Sequence, residues 1–227
     1  MTIMGITERK EREKNERRKT ILNCARELIL LQGVERVSME DIARKAELSK
    51  ATLYLYFSGK EVIFNEIGEE SARVFLERLQ PFSASGLTGI HALKSLWRSY
   101  VELFGDSDEM IIIFKVRSFL NPGLPFVSLE GESKSPYVDA ILAAMKTIIE
   151  QCKAEGVFDP NLDSDMATRL LLSMFSHAVD SAARMPPEAR KSPALIMEMA
   201  KYFQIIICGF AREGIDRASL DIMGFSG

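Results

Sequence analysis

A chain of 227 residues with 47% hydrophobic side chains and a mean hydropathy of zero carries enough apolar surface for a sizeable core. No apolar run reaches the ~18 residues of a membrane span, and the charged N-terminus lacks the apolar stretch of a signal peptide, so the expectation is a cytoplasmic protein with no membrane partner. The net charge of −3 argues against nucleic acid only as an average. Through residue 65 there are 13 Lys/Arg against 10 Asp/Glu, and beyond it 16 against 22, a basic head on an acidic body.

Residues 8–19, ERKEREKNERRK, alternate charges at helical spacing and hold no core residue. They read as a solvated helix extension, with a basic arm toward phosphates as the functional alternative. From Arg17 the pattern turns amphipathic, with Ile21, Ala25, Leu28 and Ile29 inward and Gly33 as the stop.

The stretch from Ser38 to Lys60, SMEDIARKAELSKATLYLYFSGK, reads as two short helices and a tight turn. Ser38 with Asp41 three residues on is a capping-box pattern. Met39, Ile42, Ala43 and Ala46 give the first helix one apolar face, Glu47-Leu48 fills the turn, and Ser49 caps the second helix. Leu53, Phe57 and the Tyr56 ring pack back on the first helix, and Lys50, Ala51, Thr52, Tyr54 and Leu55 stay outward. Such a pair can place its second helix in a major groove.

The same residues resemble the DNA-binding motif of the TetR family of bacterial transcriptional regulators. The match is carried by Ser38, Met39, Asp41, Ile42, Ala43, Ala46, Ser49, Thr52, Leu53, Tyr54, Tyr56, Phe57 and Lys60, over about residues 17–66. Two family glycines are replaced, by Glu47 in the turn and Ala51 in the second helix. The resemblance implies a duplex DNA operator as partner. Lys50, Tyr54 and Leu55 are expected on bases or the groove floor, with Ala51 offering a methyl to thymine. Ser38, Thr52, Tyr56 and Lys60 are expected on phosphates.

Lys60 opens a further helix whose stripe of Val62, Ile63, Ile67, Phe75 and Leu79 runs to Gln80-Pro81, with a loop over 81–86. The expected division is a DNA-binding head over 1–66 and a ligand-binding, dimerising body over 67–227. The body reads as helices over about 87–104, 109–120, 136–155, from 163 to 185 and from 193 to 213, with 124–134 irregular. No strand alternation interrupts them, so the fold class is all-α: a three-helix helix-turn-helix head followed by a helical body.

In the last helix Ile196, Met199, Phe203, Ile206 and Phe210 repeat at 3-4 spacing. In the one before it Ala178, Ser181 and Ala182 are small enough for close approach. The resemblance implies that these two helices pair with their symmetry mates in a homodimer. A pocket for an unknown small-molecule effector is expected among Trp97, Tyr100, Phe104, Phe114, Tyr137, Met174 and Phe175. Arg117, inside IIIFKVRSFL, is the candidate partner for an acidic or acyl-type head group.

Catalytic chemistry has no residues to stand on: there is no P-loop, GxGxxG or GxSxG signature and no Cys-His arrangement. His177 and Asp180 form one edge of a metal site without further ligands at suitable spacing, so neither metal nor cofactor is expected. Cys24, Cys152 and Cys208 are widely spaced and read as small apolar residues of a reducing compartment. The sequence predicts a ligand-released repressor acting as a dimer on a palindromic operator. The alternative is a helical carrier of apolar ligands, or a partner-binding protein, without sequence-specific DNA binding.

Overall fold

The structure is a computed structural model that describes residues 5–120 apart from 85 and 107, together with 135–183, 185, 189 and 192–221. Its helices are α1 (Ile6–Gln32), α2 (Met39–Lys45), α3 (Lys50–Tyr54), α4 (Lys60–Ala84), α5 (Gly89–Asp106), α6 (Glu109–Leu120), α7 (Pro136–Ala154), α8 (Ser164–Ala183) and α9 (Pro193–Phe210), and a 3-10 turn follows at Arg217–Leu220. Among the described residues no strand forms, and the one β-bridge joins Phe158 to Ala211. The stretch 124–134, expected to be irregular, lies outside the described residues.

Local sequence signals explain most helix ends. Ser49, Ser135 and Ser192 each accept a backbone N–H three residues on, and Pro136 and Pro193 follow as first-turn prolines. Gly33 ends α1 at φ 86°, with its N–H on Ile29 O. Helix α4 runs past the expected stop at Pro81 to Ala84. There the proline lies in the last turn and costs a single backbone bond.

Two apolar clusters form, and α4 passes through both. The first holds Ile21, Ala25, Ile29, Ile42, Leu53, Phe57, Ile63, Phe64 and Ile67, and it takes Ile112 and Val116 from α6. The second holds Phe75, Leu79, Leu96, Trp97, Tyr100, Met145, Leu171, Phe175, Phe203 and Phe210. Around it α4 packs on α5, α6 and α7, α8 on α6 and α7, and α9 on α8. At the start of α5, Gly89 lies so close to α7 that a Cβ would come 2.6 Å from Cys152 N, while its N–H donates to Glu155 Oε2 at 2.8 Å.

Helix α9 has the length and mean hydropathy, 1.3 over 18 residues, to cross a membrane, and a third of it is buried in this chain. Reading unbroken apolar runs missed this because Glu198, Lys201 and Gln204 interrupt the segment. Its inner face, with Leu195, Met199, Ala200, Phe203, Ile207 and Phe210, is part of the body core.

Candidate DNA-binding head and effector body

The turn between α2 and α3 is a complete Schellman motif. Leu48 N–H donates to Ala43 O at 2.8 Å and Glu47 N–H to Arg44 O at 3.2 Å, with Glu47 in the left-handed region at φ 55°. Leu48 then packs against the head core. Upstream, Ser38 N–H donates to Asp41 Oδ2 and Asp41 N–H to Ser38 Oγ, both at 3.1 Å. The Ser38 hydroxyl also donates to Asp41 Oδ2 at 2.5 Å, and this bond together with that from the Ser38 N–H holds the Asp41 carboxyl below its usual range, with Arg44 adding to the effect.

Helix α3 buries Leu53 and turns its other side to solvent. Leu55 is 82% exposed and Tyr54 47%, and Ala51 and Lys50 lie exposed beside them. Lys50 is only loosely held by Glu40, at 3.8 Å. The residues expected on bases therefore share one solvent-facing surface.

The expected phosphate contacts divide. Tyr56 is half-buried against the head core. The Thr52 hydroxyl is 2.7 Å from that of Ser49, and the Ser38 hydroxyl serves the α2 cap. Lys60 is turned inward: its ammonium donates to Val37 O at 3.2 Å and lies 4.9 Å from the centre of the Phe119 ring. Its position at the start of α4 sets this geometry, because the carbonyl end of the loop before α2 is the nearest acceptor.

Sequence reading missed what fixes the head to α4. Arg18 forms a bidentate pair with Glu66, donates to Tyr56 O at 3.0 Å and lies 4.1 Å from the Phe57 ring centre. Eight residues on, Arg26 pairs with Glu70 at 2.8 Å and donates to Ser71 Oγ. The available signal was i, i+4 spacing of Glu66 and Glu70 opposite two arginines of α1.

In the body, three expected pocket residues are one another's neighbours. The Tyr100 and Phe175 rings are 4.2 Å apart between centroids, and Trp97 stacks within 6.3 Å of Phe175 and 6.0 Å of Tyr100. The Tyr100 hydroxyl donates to Phe175 O at 3.0 Å, and burial pushes its pKa far above the ordinary phenol value. Tyr137 and Met174 are half-buried at the edge of this core. The side chains of Phe104 and Phe114 lie outside the described residues, as does that of Asp180 beside the exposed His177.

Arg117 is mostly buried, which lowers its pKa, and the Glu69 and Asp139 carboxylates oppose that shift. An acidic ligand head group approaching it would meet both negative charges. The arginine singled out in the sequence thus has counter-charges on α4 and α7.

Much of the expected dimer seam is taken up by the chain's own core. Phe203 stacks on Trp97 at 5.2 Å and is 0% exposed, and Met199, Phe210, Ala178 and Ala182 are buried in the chain's own core. Ile196, Ile206 and Ser181 are half-buried. The exposed apolar residues of these helices are Met166 and Leu170 on α8 and Met197, Tyr202 and Ile205 on α9, with Ile205 at 68%. On α9 the face that carries Phe203 and Phe210 joins the core, and the stripe of Met197, Tyr202 and Ile205 stays outside.

Residues 21–67 match the family model described as bacterial regulatory proteins, tetR family, the span that includes the capped α2–turn–α3 unit. The HTH-type transcriptional regulator YdgC of Bacillus subtilis is 26% identical over 206 residues, covering 88% of this chain and 96% of the relative. Over residues 21–67 the chain carries the DNA-binding segment of TetR-family regulators, and its relatives are regulators of that kind. It is a transcriptional regulator with a helix-turn-helix head and a helical body. The HTH-type transcriptional repressor KstR2 of Mycolicibacterium smegmatis is 23% identical, over 68% of this chain and 74% of the repressor. Among solved structures, the fatty acid degradation regulator FadR of Bacillus halodurans superposes at TM-score 0.65 with 16% identity, over 86% of this chain and 97% of that one, and shares the fold. A complex of SmeT with triclosan superposes at 0.62, with 16% identity over 88% and 93%.

Proposed function

We propose that this TetR-family regulator is a repressor that binds a palindromic duplex operator as a dimer and releases it on binding a small apolar molecule. The observation that carries the reading is the outer face of α3, where Lys50, Ala51, Tyr54 and Leu55 stand exposed on a helix whose inner side is locked by Leu53 and the Ser49 cap. Exposed Tyr and Leu side chains are costly in water and useful on a groove floor. Tyr56 and Thr52 flank this face within reach of backbone phosphates. The proposed division places the DNA-binding head at 1–66 and the effector and dimerisation body at 67–227, with the protein acting in the cytoplasm.

Dimerisation through α8 and α9 rests on their exposed residues Met166, Leu170, Met197, Tyr202 and Ile205. Two heads so joined would read half-sites about one helical turn apart. The aromatic body supports an apolar effector, and the carboxylates beside Arg117 favour an uncharged one. A neighbouring structure, SmeT in complex with triclosan, agrees in kind.

Selection of bound sequences from genomic fragments should return a palindrome. Lys50→Ala and Tyr54→Ala should each weaken binding to it by about 1–3 kcal/mol, roughly 5- to 150-fold, with little change on unrelated duplex. Equal losses on both duplexes would remove α3 from base readout.

A further inference from the structure

Helix α1 extends well beyond the head it supports, since every residue from Glu8 to Arg17 is exposed and the apolar face begins at Ile21. Apart from Glu11, which is exposed on a neighbouring face, its charges fall into two sets. Arg9 pairs with Glu13 and Arg12 with Glu16, and the Glu8 carboxylate accepts the Gly5 N–H at 3.0 Å. Lys10, Lys14 and Arg17 are exposed, and the structure shows no acidic partner for any of them. Their i, i+4, i+7 spacing puts them on one face of the helix, over roughly 10 Å of its axis.

The root of this stripe is fixed. Arg18 is bonded to Tyr56 O, two residues beyond the end of α3, and to Glu66 in the second turn of α4. The extension therefore leaves the head beside the C-terminal end of the proposed recognition helix, and Arg17 sits next to that anchor.

We propose that Lys10, Lys14 and Arg17 form a phosphate-tracking stripe that binds the DNA backbone flanking each operator half-site. This rests on the DNA-binding reading above and extends its footprint beyond the helix-turn-helix. Charge complementarity and continuity with the α3 face select duplex DNA as the occupant. Three cations spread over roughly 10 Å cover about three phosphate steps of one strand, at about 3.4 Å each along the duplex axis. The contact carries no base information, so it raises affinity for specific and unrelated duplex alike.

The test uses the full chain and a mixed-sequence duplex of about 40 base pairs, titrated between about 50 and 200 mM KCl. For the variant Lys10→Gln, Lys14→Gln, Arg17→Gln, the slope of log K against log salt should be shallower than wild type by about 5 per bound dimer, or about 2–3 for each protomer's stripe. The charge-preserving variant Lys10→Arg, Lys14→Arg, Arg17→Lys should keep the wild-type slope. Neutralising Arg78, Arg212 and Arg217, exposed cations outside the head, should also leave it unchanged. A wild-type slope in the triple glutamine variant overturns the stripe and leaves the operator reading intact. Failure of wild-type protein to bind any duplex overturns both. Loss of binding to phosphatidylserine vesicles with an unchanged duplex slope would assign the stripe to membranes and likewise overturn the proposal.

Discussion

At the scale of single residues, Glu47 is the clearest departure from local preference. It is the one non-glycine residue at positive φ among those described, and its Cβ crowds the following carbonyl there. The Schellman bonds around it hold the turn regardless, so the strain is a stability cost and not a change of geometry. Glu47→Gly should stabilise the protein by about 0.5–1 kcal/mol after the added freedom of the unfolded glycine, or a rise in Tm of roughly 2–3 °C. A lower Tm in thermal unfolding would show that the glutamate makes a contact worth more than the strain. The caps and this turn were legible in the sequence because their chemistry is complete within four or five residues. Lys60 was not: its acceptor, Val37 O, is 23 positions away and is set by how α4 enters the head.

At the scale of elements, α9 shows why periodicity finds a helix more readily than its partner. Ile196, Met199, Phe203, Ile206 and Phe210 form a regular stripe, and Met197 with Ile205 forms another on the opposite side. Spacing alone does not say which of the two faces inward. The aromatic stack of Phe203 on Trp97 and Phe175 decides it, and those partners come from α5 and α8. Two substitutions separate the faces. Phe203→Ala should cost about 3–5 kcal/mol of folding stability. Ile205→Lys should leave thermal stability of the fold nearly intact while shifting sedimentation toward a monomer, since a charge there faces its own mate across the proposed interface. A folded Phe203→Ala protein of wild-type stability, or a dimeric Ile205→Lys protein, would reverse the assignment of the faces.

At the scale of the molecule, the division at residue 66 describes functions more than cores. The head cluster continues to Ile67 and draws Ile112 and Val116 from α6, whose neighbour Ile111 belongs to the body cluster. The sequence showed α6 as an apolar helix, but which cluster each residue joins depends on the crossing of α4 and α6 near Gly68, where a Cβ would stand 3.3 Å from Val116 Cγ1. Arg117 lies in the same segment, within the fields of Glu69 on α4 and Asp139 on α7. A change in the body that moves α6 therefore moves atoms of the head's own core, the route by which the proposed effector would alter the spacing of the proposed dimer's heads. It also means that the head is incomplete without the body. A fragment ending at residue 66 lacks Ile67, Ile112 and Val116 of the head cluster and the Phe119 ring that meets Phe64 edge-on, and at this length the remaining core is marginal. The fragment should show helical signal without a cooperative urea transition, whereas the full chain should unfold its head and body together. A sharp, reversible transition in the isolated fragment, matching that of the head in the full chain, would show that α6 adds no essential part of the head's core.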